Sequence, residues 1–408
     1  MKRIYILDEY ISSTRNGIGT FVGEFVSCLK GVDVSVHLVI FNADCREFAI
    51  MSKGDVTYMY FPEFKGKEYV EYPEVIVKFF RLYIQDSPDT LFCVNHFPSN
   101  KLIKSIRESH PLSKMFFVIH NQSWTAAFEG DVRKFERIHS DGEAIKKSPL
   151  YGGTMKLVEM EQEAYEMVDH VVCLTNATRQ LLLDVYGVPQ NKIWLIPNGL
   201  KRKHRSLDSE RRKRLRAKYF ISDEEKVVLF VGRLEKTKGV YALLDAFKSV
   251  LESFPNAKLV MAGTDIYSSF NHQDNYIKSR VVYAGQLKPS VLQQWYQMAD
   301  IGVIPSYTEQ CSYVGIEMMM HSLPIVASDG FGVRDMFKDG ENAIVAPIGR
   351  RTGKAKTFSA NLAQALISLL SSAELRKKMG RNAREVYLKC YSLAKMKEGY
   401  KRLLDALE

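Results

Sequence analysis

The feature that most constrains this chain is a rhythm. Short apolar runs, each closed by turn-forming residues, alternate with longer segments of helical period. In the first half the runs are KRIYILD, SVHLVIFN, TLFCVNH, MFFVIHN, HVVCLT and KIWLIPN. After residue 200 the rhythm restarts with KVVLFVG, AKLVMAG, RVVYAG, IGVIPS, PIVASD and NAIVAP. Continuous apolar runs suit strands covered on both faces, and their alternation with helices predicts parallel sheets of βαβ units. The 408 residues are long for one compact core. Between the halves lies NGLKRKHRSLDSERRKRLRAKYF, which is basic and poor in apolar residues and reads as a linker leading into an exposed helix. The expectation is therefore α/β: two doubly wound domains facing across a deep cleft. Ligands of such sheets bind beyond the carboxyl ends of the strands, which here points into that cleft. The tail from Ser372 onward is helical in pattern almost throughout, with Tyr391-Ser392 as a break between two helices.

Composition narrows the partners. Apolar residues make up 46% of the chain, enough for a large core. The formal charge of +10 favours anionic partners: nucleotides, phosphates, anionic lipid surfaces or nucleic acid. The basic linker lacks the interleaved aromatics of a nucleic-acid module and reads as a solvated helix face, so no nucleic acid is expected. Cys28, Cys45, Cys93, Cys173, Cys311 and Cys390 are scattered without metal-site or redox-motif spacing, which fits a reducing compartment. The start MKRIYILDEY does not read as a signal peptide, and no apolar run approaches the roughly 18 residues of a membrane span. A cytoplasmic protein is expected. Two segments, YPEVIVKFFRLYIQD and SNKLIKSIRESH, mix cations with apolar residues as helices on a membrane surface do, and as core-facing helices with solvated cations also do. Peripheral contact with the inner membrane face stays open.

Three stretches could carry chemistry. In STRNGIGTFVGEF, directly after the first strand, Gly17 and Gly19 would let backbone approach a phosphate at a helix N-terminus. A plain tight turn fits the same residues, since neither the P-loop nor the dinucleotide fingerprint is matched. In FVGRLEKTKGVYALLDAF a strand ends at Gly232, and Arg233 and Lys238 then flank a turn before a helix. Two such cations suit a diphosphate or simply lie in solvent. In PSYTEQCSYVGIEMMMHSLP, Ser312 is the expected N-cap of a helix over Tyr313–His321. The backbone around Cys311, Ser312 and Tyr313 would then form a phosphate site, with Glu309 in the loop above and Glu317 one turn inside. Glu317 could reach hydroxyl groups or pair with a buried cation, and Met318–Met320 read as core. His120 and His96 each end a strand, where ligands bind and where structural histidines also sit. No metal-ligand spacing is present, so no metal is expected.

Taken in order, the glycine turn after strand one, the strand ending in His-Asn, IPNGL, FVGRLEKTKG, Glu-x7-Glu and DGFGVRDMFKDGENAIVAP resemble a retaining glycosyltransferase of the GT-B fold, most like family four (glycosyl transferases group 1). The resemblance spans nearly the whole chain. It is strong over 190–350 and weaker over roughly 45–90 and 125–165. It implies an acceptor-binding Rossmann-like domain over 1–198, completed by a C-terminal helix at about 386–408 that crosses back to it. A nucleotide-sugar-binding Rossmann-like domain would occupy 199–385.

The resemblance also implies roles. Gly17 and Gly19 would approach the donor diphosphate, and His120 would contact the transferred sugar near the reacting carbon. Gly232, Arg233 and Lys238 would hold the diphosphate. Glu309 would face the sugar, with Gln310, Cys311, Ser312 and Tyr313 beside the donor, and Glu317 would hold the ribose hydroxyls. Asn198 lies in a motif at the domain junction. His120, Glu309, Arg233 and Lys238 are the catalytic candidates. Departures are Asn16-Gly17 for a double glycine, His120-Asn121 for His-Asp, Gln310 and Ser312 for the family's glycine and glycine or proline, and Asp335 for a glutamate.

The implied donor is a nucleotide-diphosphate sugar, UDP- or GDP-type, with no bound cofactor. The acceptor would be a glycan, a lipid-linked sugar, a peptide or a small molecule. Competing readings are a sugar-nucleotide epimerase or phosphorylase of the same fold, and a non-catalytic protein that binds anionic ligands.

Overall fold

The computed structural model describes residues 1–9, 17–63, 68–95, 99–143, 148–202, 208–264, 277, 279–349 and 354–407. His96 and residues 12–16 of the glycine turn, Asn16 among them, lie outside these. The chain forms two compact units. One holds Met1–Ala127, Phe135–Asn198 and Leu393–Glu408; the other holds Phe128–Lys134 and Gly199–Ser392.

The first unit is built on an eight-stranded sheet. Its strands are β1 (Lys2–Glu9), β2 (Val34–Ala43), β3 (Ala49–Lys53), β4 (Val56–Pro62), β5 (Thr90–Val94), β6 (Lys114–Val118), β7 (His170–Cys173) and β8 (Ile193–Leu195). Their spatial order is β3-β4-β2-β1-β5-β6-β7-β8. All neighbours pair parallel except β3 with β4. The central strands are apolar on both faces because helices cover both: every residue of β5 is buried. The C-terminal helix Leu393–Ala406 belongs to this unit. Its Tyr400 ring lies 4.4 Å from Phe25 and 6.5 Å from Phe116. Gly399 lets it pass close to Ile196, whose Cγ2 would lie 2.7 Å from any added Cβ.

The second unit carries β9 (Lys226–Val231), β10 (Ala257–Ala262), β11 (Val281–Gly285), β12 (Ile301–Ile304), β13 (Ile325–Ser328) and β14 (Ile344–Ala346). The order is β11-β10-β9-β12-β13-β14, parallel throughout. One side of its core packs Val228, Phe230, Leu243, Phe247, Leu362 and Leu366 between sheet and helices.

The basic linker leads into a helix, Ser209–Lys218, as its composition suggests. Two of its cations are paired with one carboxylate, however, and one of them is buried. Arg216 is 2% exposed and sits 3.2 Å from Asp300, and Arg212 lies 2.9 Å from the same carboxylate. At the far end, Tyr387–Tyr391 form a short π-helix, and Ser392 separates it from the last helix.

In both sheets the order of strand addition reverses at one point. In the first unit β1 lies between β2 and β5; in the second β9 lies between β10 and β12. Beyond the carboxyl ends of strands at such points, the connecting loops part and leave a crevice.

Candidate active site

In the second unit the switch point holds the residues the sequence singled out. β9 ends at Val231, and Gly232 (φ 151°) turns the chain out of the sheet. Arg233 follows. Its guanidinium pairs with Glu235 at 3.0 Å, and Thr237 Oγ1 donates to the same carboxylate at 2.6 Å. A single 3-10 turn, Lys236–Lys238, ends at Gly239 in the left-handed region (φ 70°). There the backbone passes so close to β12's exit that a Cβ would lie 2.0 Å from Pro305 O. The helix Val240–Ser253 then begins.

β12 delivers the other half. Its exit loop places Glu309 where Lys238 Nζ donates to Oε1 at 2.7 Å, and Ser306 Oγ donates to the same oxygen at 2.8 Å. Neither partner is far from solvent, with side chains 21% and 14% exposed. Residues about seventy positions apart therefore form one ion pair at the crevice. The two loops are also joined by backbone, Tyr307 N donating to Thr237 O at 2.9 Å.

The GFG of the later motif supports this loop from behind. Glu309 N donates to Phe331 O and Phe331 N to Tyr307 O. A Cβ on Gly330 would lie 2.5 Å from Ser306 O, and one on Gly332 would lie 1.8 Å from Glu309 O. Glycine is needed at both because two backbones touch. Asp335 lies in the short helix Val333–Met336 that follows.

The helix expected after Ser312 runs over Tyr313–Met320, with His321 as its C-cap, and Ser312 Oγ accepts from Gly315 N at 3.3 Å. Gln310, Cys311 and Ser312 are buried and Tyr313 is half-buried. The Ser312 N–H is directed at Met336 Sδ, 3.2 Å away, a weak acceptor. Glu317 is half-buried, and the hydroxyl of Tyr296, itself 1% exposed, donates to its Oε2 at 2.7 Å. Burial pushes the Tyr296 phenol well up, and the neighbouring carboxylate adds to this, so the proton stays on the tyrosine. Met318, Met319 and Met320 are core.

The first unit has its own constellation at its switch point. Asp8 of β1, Asn95 after β5 and His120 after β6 are linked: Asn95 Nδ2 donates to Asp8 Oδ1 at 3.1 Å, and Asn95 Oδ1 lies 2.8 Å from His120 Nε2. A carbonyl oxygen only accepts, so Nε2 carries a hydrogen. The Phe21 ring meets the imidazole edge-on at 4.5 Å. Just beyond, Glu161 is wholly buried and accepts from Ser123 N, Ser123 Oγ and Tyr186 OH at 2.6, 2.7 and 2.6 Å. Burial raises its carboxyl above the ordinary value, and the three hydrogen bonds partly oppose this.

Gly17 and Gly19 lie within the first turn of the helix Gly17–Leu29, and an added Cβ at Gly17 would meet nothing within 4 Å. Asn198 is buried at the end of the first unit's second segment.

The sequence reading gave no role to Glu235, Thr237, Ser306, Tyr296, Asp8, Asn95 or Glu161. Glu235 and Thr237 lie inside a quoted motif, which was the available signal. The others depend on pairings made only by the fold. Among the described residues, no three of His, Cys, Asp and Glu gather as metal ligands would, and no helix is long and apolar enough to cross a membrane.

Comparison with known proteins places this geometry. Residues 211–386 match the family model of Glycosyl transferases group 1, and residues 15–203 match that of Glycosyltransferase Family 4. An uncharacterized glycosyltransferase of Methanocaldococcus jannaschii is 29% identical over 241 residues, 56% of this chain and 61% of that protein. The chain spans less than two thirds of the length of the curated relatives it matches. Among solved structures, sucrose-phosphate synthase from Thermosynechococcus elongatus superposes with a TM-score of 0.72 at 16% identity, covering 100% of this chain and 99% of that one. Anabaena HepE in complex with UDP-glucose gives 0.70 at 14% identity, covering 98% and 99%. At such identities the likeness shows the fold, which is GT-B. With a family model over each half and that fold shared from end to end, the chain belongs to the group 1 glycosyltransferases.

Proposed function

We propose that this chain is a retaining, metal-independent glycosyltransferase that moves a sugar from a nucleotide-diphosphate sugar to a hydroxyl-bearing acceptor. The observation that carries the reading is the Lys238–Glu309 pair, 2.7 Å apart at the switch point of the second unit, with Arg233 held by Glu235 in the same loop after β9. Breaking the bond between a sugar and a diphosphate leaves positive charge on the sugar carbon and negative charge on the departing phosphate. A carboxylate and an ammonium held together before the donor arrives suit those two charges. Glu309 would face the sugar, while Lys238 and Arg233 would steady the phosphates, an electrostatic preorganisation of the kind that supplies large rate gains. Cations already fixed on the protein could do the work of a metal ion at the leaving group.

The other residues take the roles their places allow. Glu317, pinned by Tyr296, would accept hydrogen bonds from the ribose hydroxyls. The Ser312-capped helix start, with Gln310, Cys311 and Tyr313, would line the donor, and His120 would contact the transferred sugar. For retention, the acceptor oxygen attacks the anomeric carbon from the face the phosphate leaves. The carbon–phosphate-oxygen bond breaks, and the departing phosphate oxygen takes the acceptor's proton. The UDP-glucose in the HepE complex supports a nucleotide-sugar donor by analogy of fold. The reading places the protein at the cytoplasmic side, where sugar nucleotides are.

Slow hydrolysis of UDP- and GDP-sugars by the purified protein in excess chelator tests this without knowing the acceptor. The account expects turnover of at least one donor, reduced about 100-fold or more in Lys238→Ala with the fold retained. Turnover that needs added divalent metal, or is unchanged in Lys238→Ala, would sink it.

A further inference from the structure

Between the helices Trp124–Ala127 and Val132–His139, the chain leaves the first unit and contributes Phe128–Lys134 to the second. This short excursion has a defined shape. Asp131 N donates to Phe128 O at 2.9 Å, and the two residues between are left-handed, Glu129 at φ 51° and Gly130 at φ 70°. That is the pattern of a type I′ turn, which favours Asn, Asp or Gly at its centre. A glutamate in the first central place is held there by something other than local preference. Phe128 is 2% exposed and anchors the turn; Asp131 Oδ1 accepts from Lys134 N at 3.1 Å and ties it to the following helix.

Within the second unit the turn makes two contacts. Glu129 Oε1 lies 2.6 Å from Lys236 Nζ, in the 3-10 turn that ends at Lys238. Gly130 lies against the loop leading to Glu309, where a Cβ would be 2.4 Å from Tyr307 O and 3.0 Å from Thr308 Cβ. These are the two loops already joined by Tyr307 N to Thr237 O. We propose that the Phe128–Asp131 turn braces the Lys238–Glu309 pair, with Glu129 and Gly130 as positioning residues for the donor site. The inference rests on the reading that this pair faces the donor.

The two contacts differ in strength. The ion pair is open to water, with side chains 67% and 42% exposed for Lys236 and Glu129, so it contributes modestly. It is nonetheless close enough that Glu129 raises the Lys236 ammonium above its usual value. The Gly130 contact is backbone against backbone and cannot yield by a change of rotamer. Any side chain there displaces Tyr307 and, through it, the carboxylate two residues on.

Amide hydrogen exchange on the ligand-free protein tests the brace without a donor. Gly130→Ala should speed exchange of the Tyr307 and Glu309 amides about tenfold, with the β10 amides unchanged. Glu129→Lys should speed exchange of the Tyr307 amide about threefold, and the reversed pair Glu129→Lys/Lys236→Glu should restore it. Unchanged exchange in Gly130→Ala, or no restoration by the reversed pair, would overturn the inference. UDP and GDP titrations of the wild type form a separate arm. Failure of both to bind counts against the donor reading, while the exchange results still decide whether the turn braces these loops.

Discussion

Removing one oxygen atom from Tyr296 should weaken donor binding without touching the donor. The Tyr296 hydroxyl donates to Glu317 Oε2 at 2.7 Å from a ring that is 1% exposed, while Glu317 is half-buried. A hydrogen bond to a charged group contributes about 1.5–3 kcal/mol. Because Glu317 is partly open, water recovers some of this in Tyr296→Phe, which leaves about 1–2 kcal/mol. For a unit of this size that lowers Tm by about 2–8 °C. The same loss frees the carboxylate to rotate away from the ribose, and the Kd for the bound nucleotide should rise about 5- to 30-fold. Calorimetric titration with UDP and with GDP, on wild type, Tyr296→Phe, Glu317→Gln and the double variant, closes a cycle. If Tyr296 acts through Glu317, its substitution does little once Glu317 is already Gln. An equal loss of affinity in both backgrounds, or no loss in either, would refute the assignment of Glu317 to the ribose.

Three further outcomes are expected. Gly239→Ala puts a Cβ 2.0 Å from Pro305 O at a φ of 70°, so denaturant unfolding should show a loss of about 2 kcal/mol or more; a change under about 0.5 kcal/mol would contradict the close approach of the two loops. Asp300→Ala leaves Arg216, 2% exposed, with only carbonyl partners, and should cost about 3 kcal/mol in the same assay. Burial raises the Glu161 carboxyl, so the folded chain keeps a proton that the unfolded chain releases from about pH 4.5 upward. The stability this group contributes is full below that pH and is lost as pH rises to its raised value. Glu161→Gln cannot ionise, so the stability of the wild type relative to the variant should fall as pH rises above about 4.5, read from denaturant midpoints; a difference that grows with pH would contradict this.

How much the sequence disclosed followed from how local each determinant was. The strands that read as apolar runs all formed; most are covered on both faces and so apolar throughout, while β11, at the sheet edge, leaves Val282 and Tyr283 exposed. β3 and β4 were not anticipated: β3 is largely exposed, and AIMSK does not announce itself as a strand. The Ser312 cap and the helix after it were legible because a cap and its helix are neighbours in sequence. The buried Arg216 was not, since its partner Asp300 lies 84 residues away and nothing near the arginine distinguishes it from the solvated cations beside it. The same limit applies at the site. Arg233, Lys238, Glu309 and Glu317 stood out through motif order, but the Lys238–Glu309 contact, the tyrosine beneath Glu317 and the glutamate under the His120 loop exist only once the sheets form. The Phe128–Asp131 turn lay where the family resemblance was weak. Its Glu-Gly-Asp signals a turn and carries no hint that the turn belongs to the second unit.

The most direct test of the central claim is a thermal-shift screen of UDP- and GDP-sugars in excess chelator, run on wild type, Arg233→Ala and Lys238→Ala. A ligand that binds the folded state raises its apparent stability, by about 2.7 kcal/mol at a hundredfold excess over Kd. The account predicts that at least one nucleotide sugar stabilises the wild type without metal, and that both variants fold but lose most of that shift. Stabilisation that survives unchanged in both variants, or that appears only with added divalent cation, would contradict it.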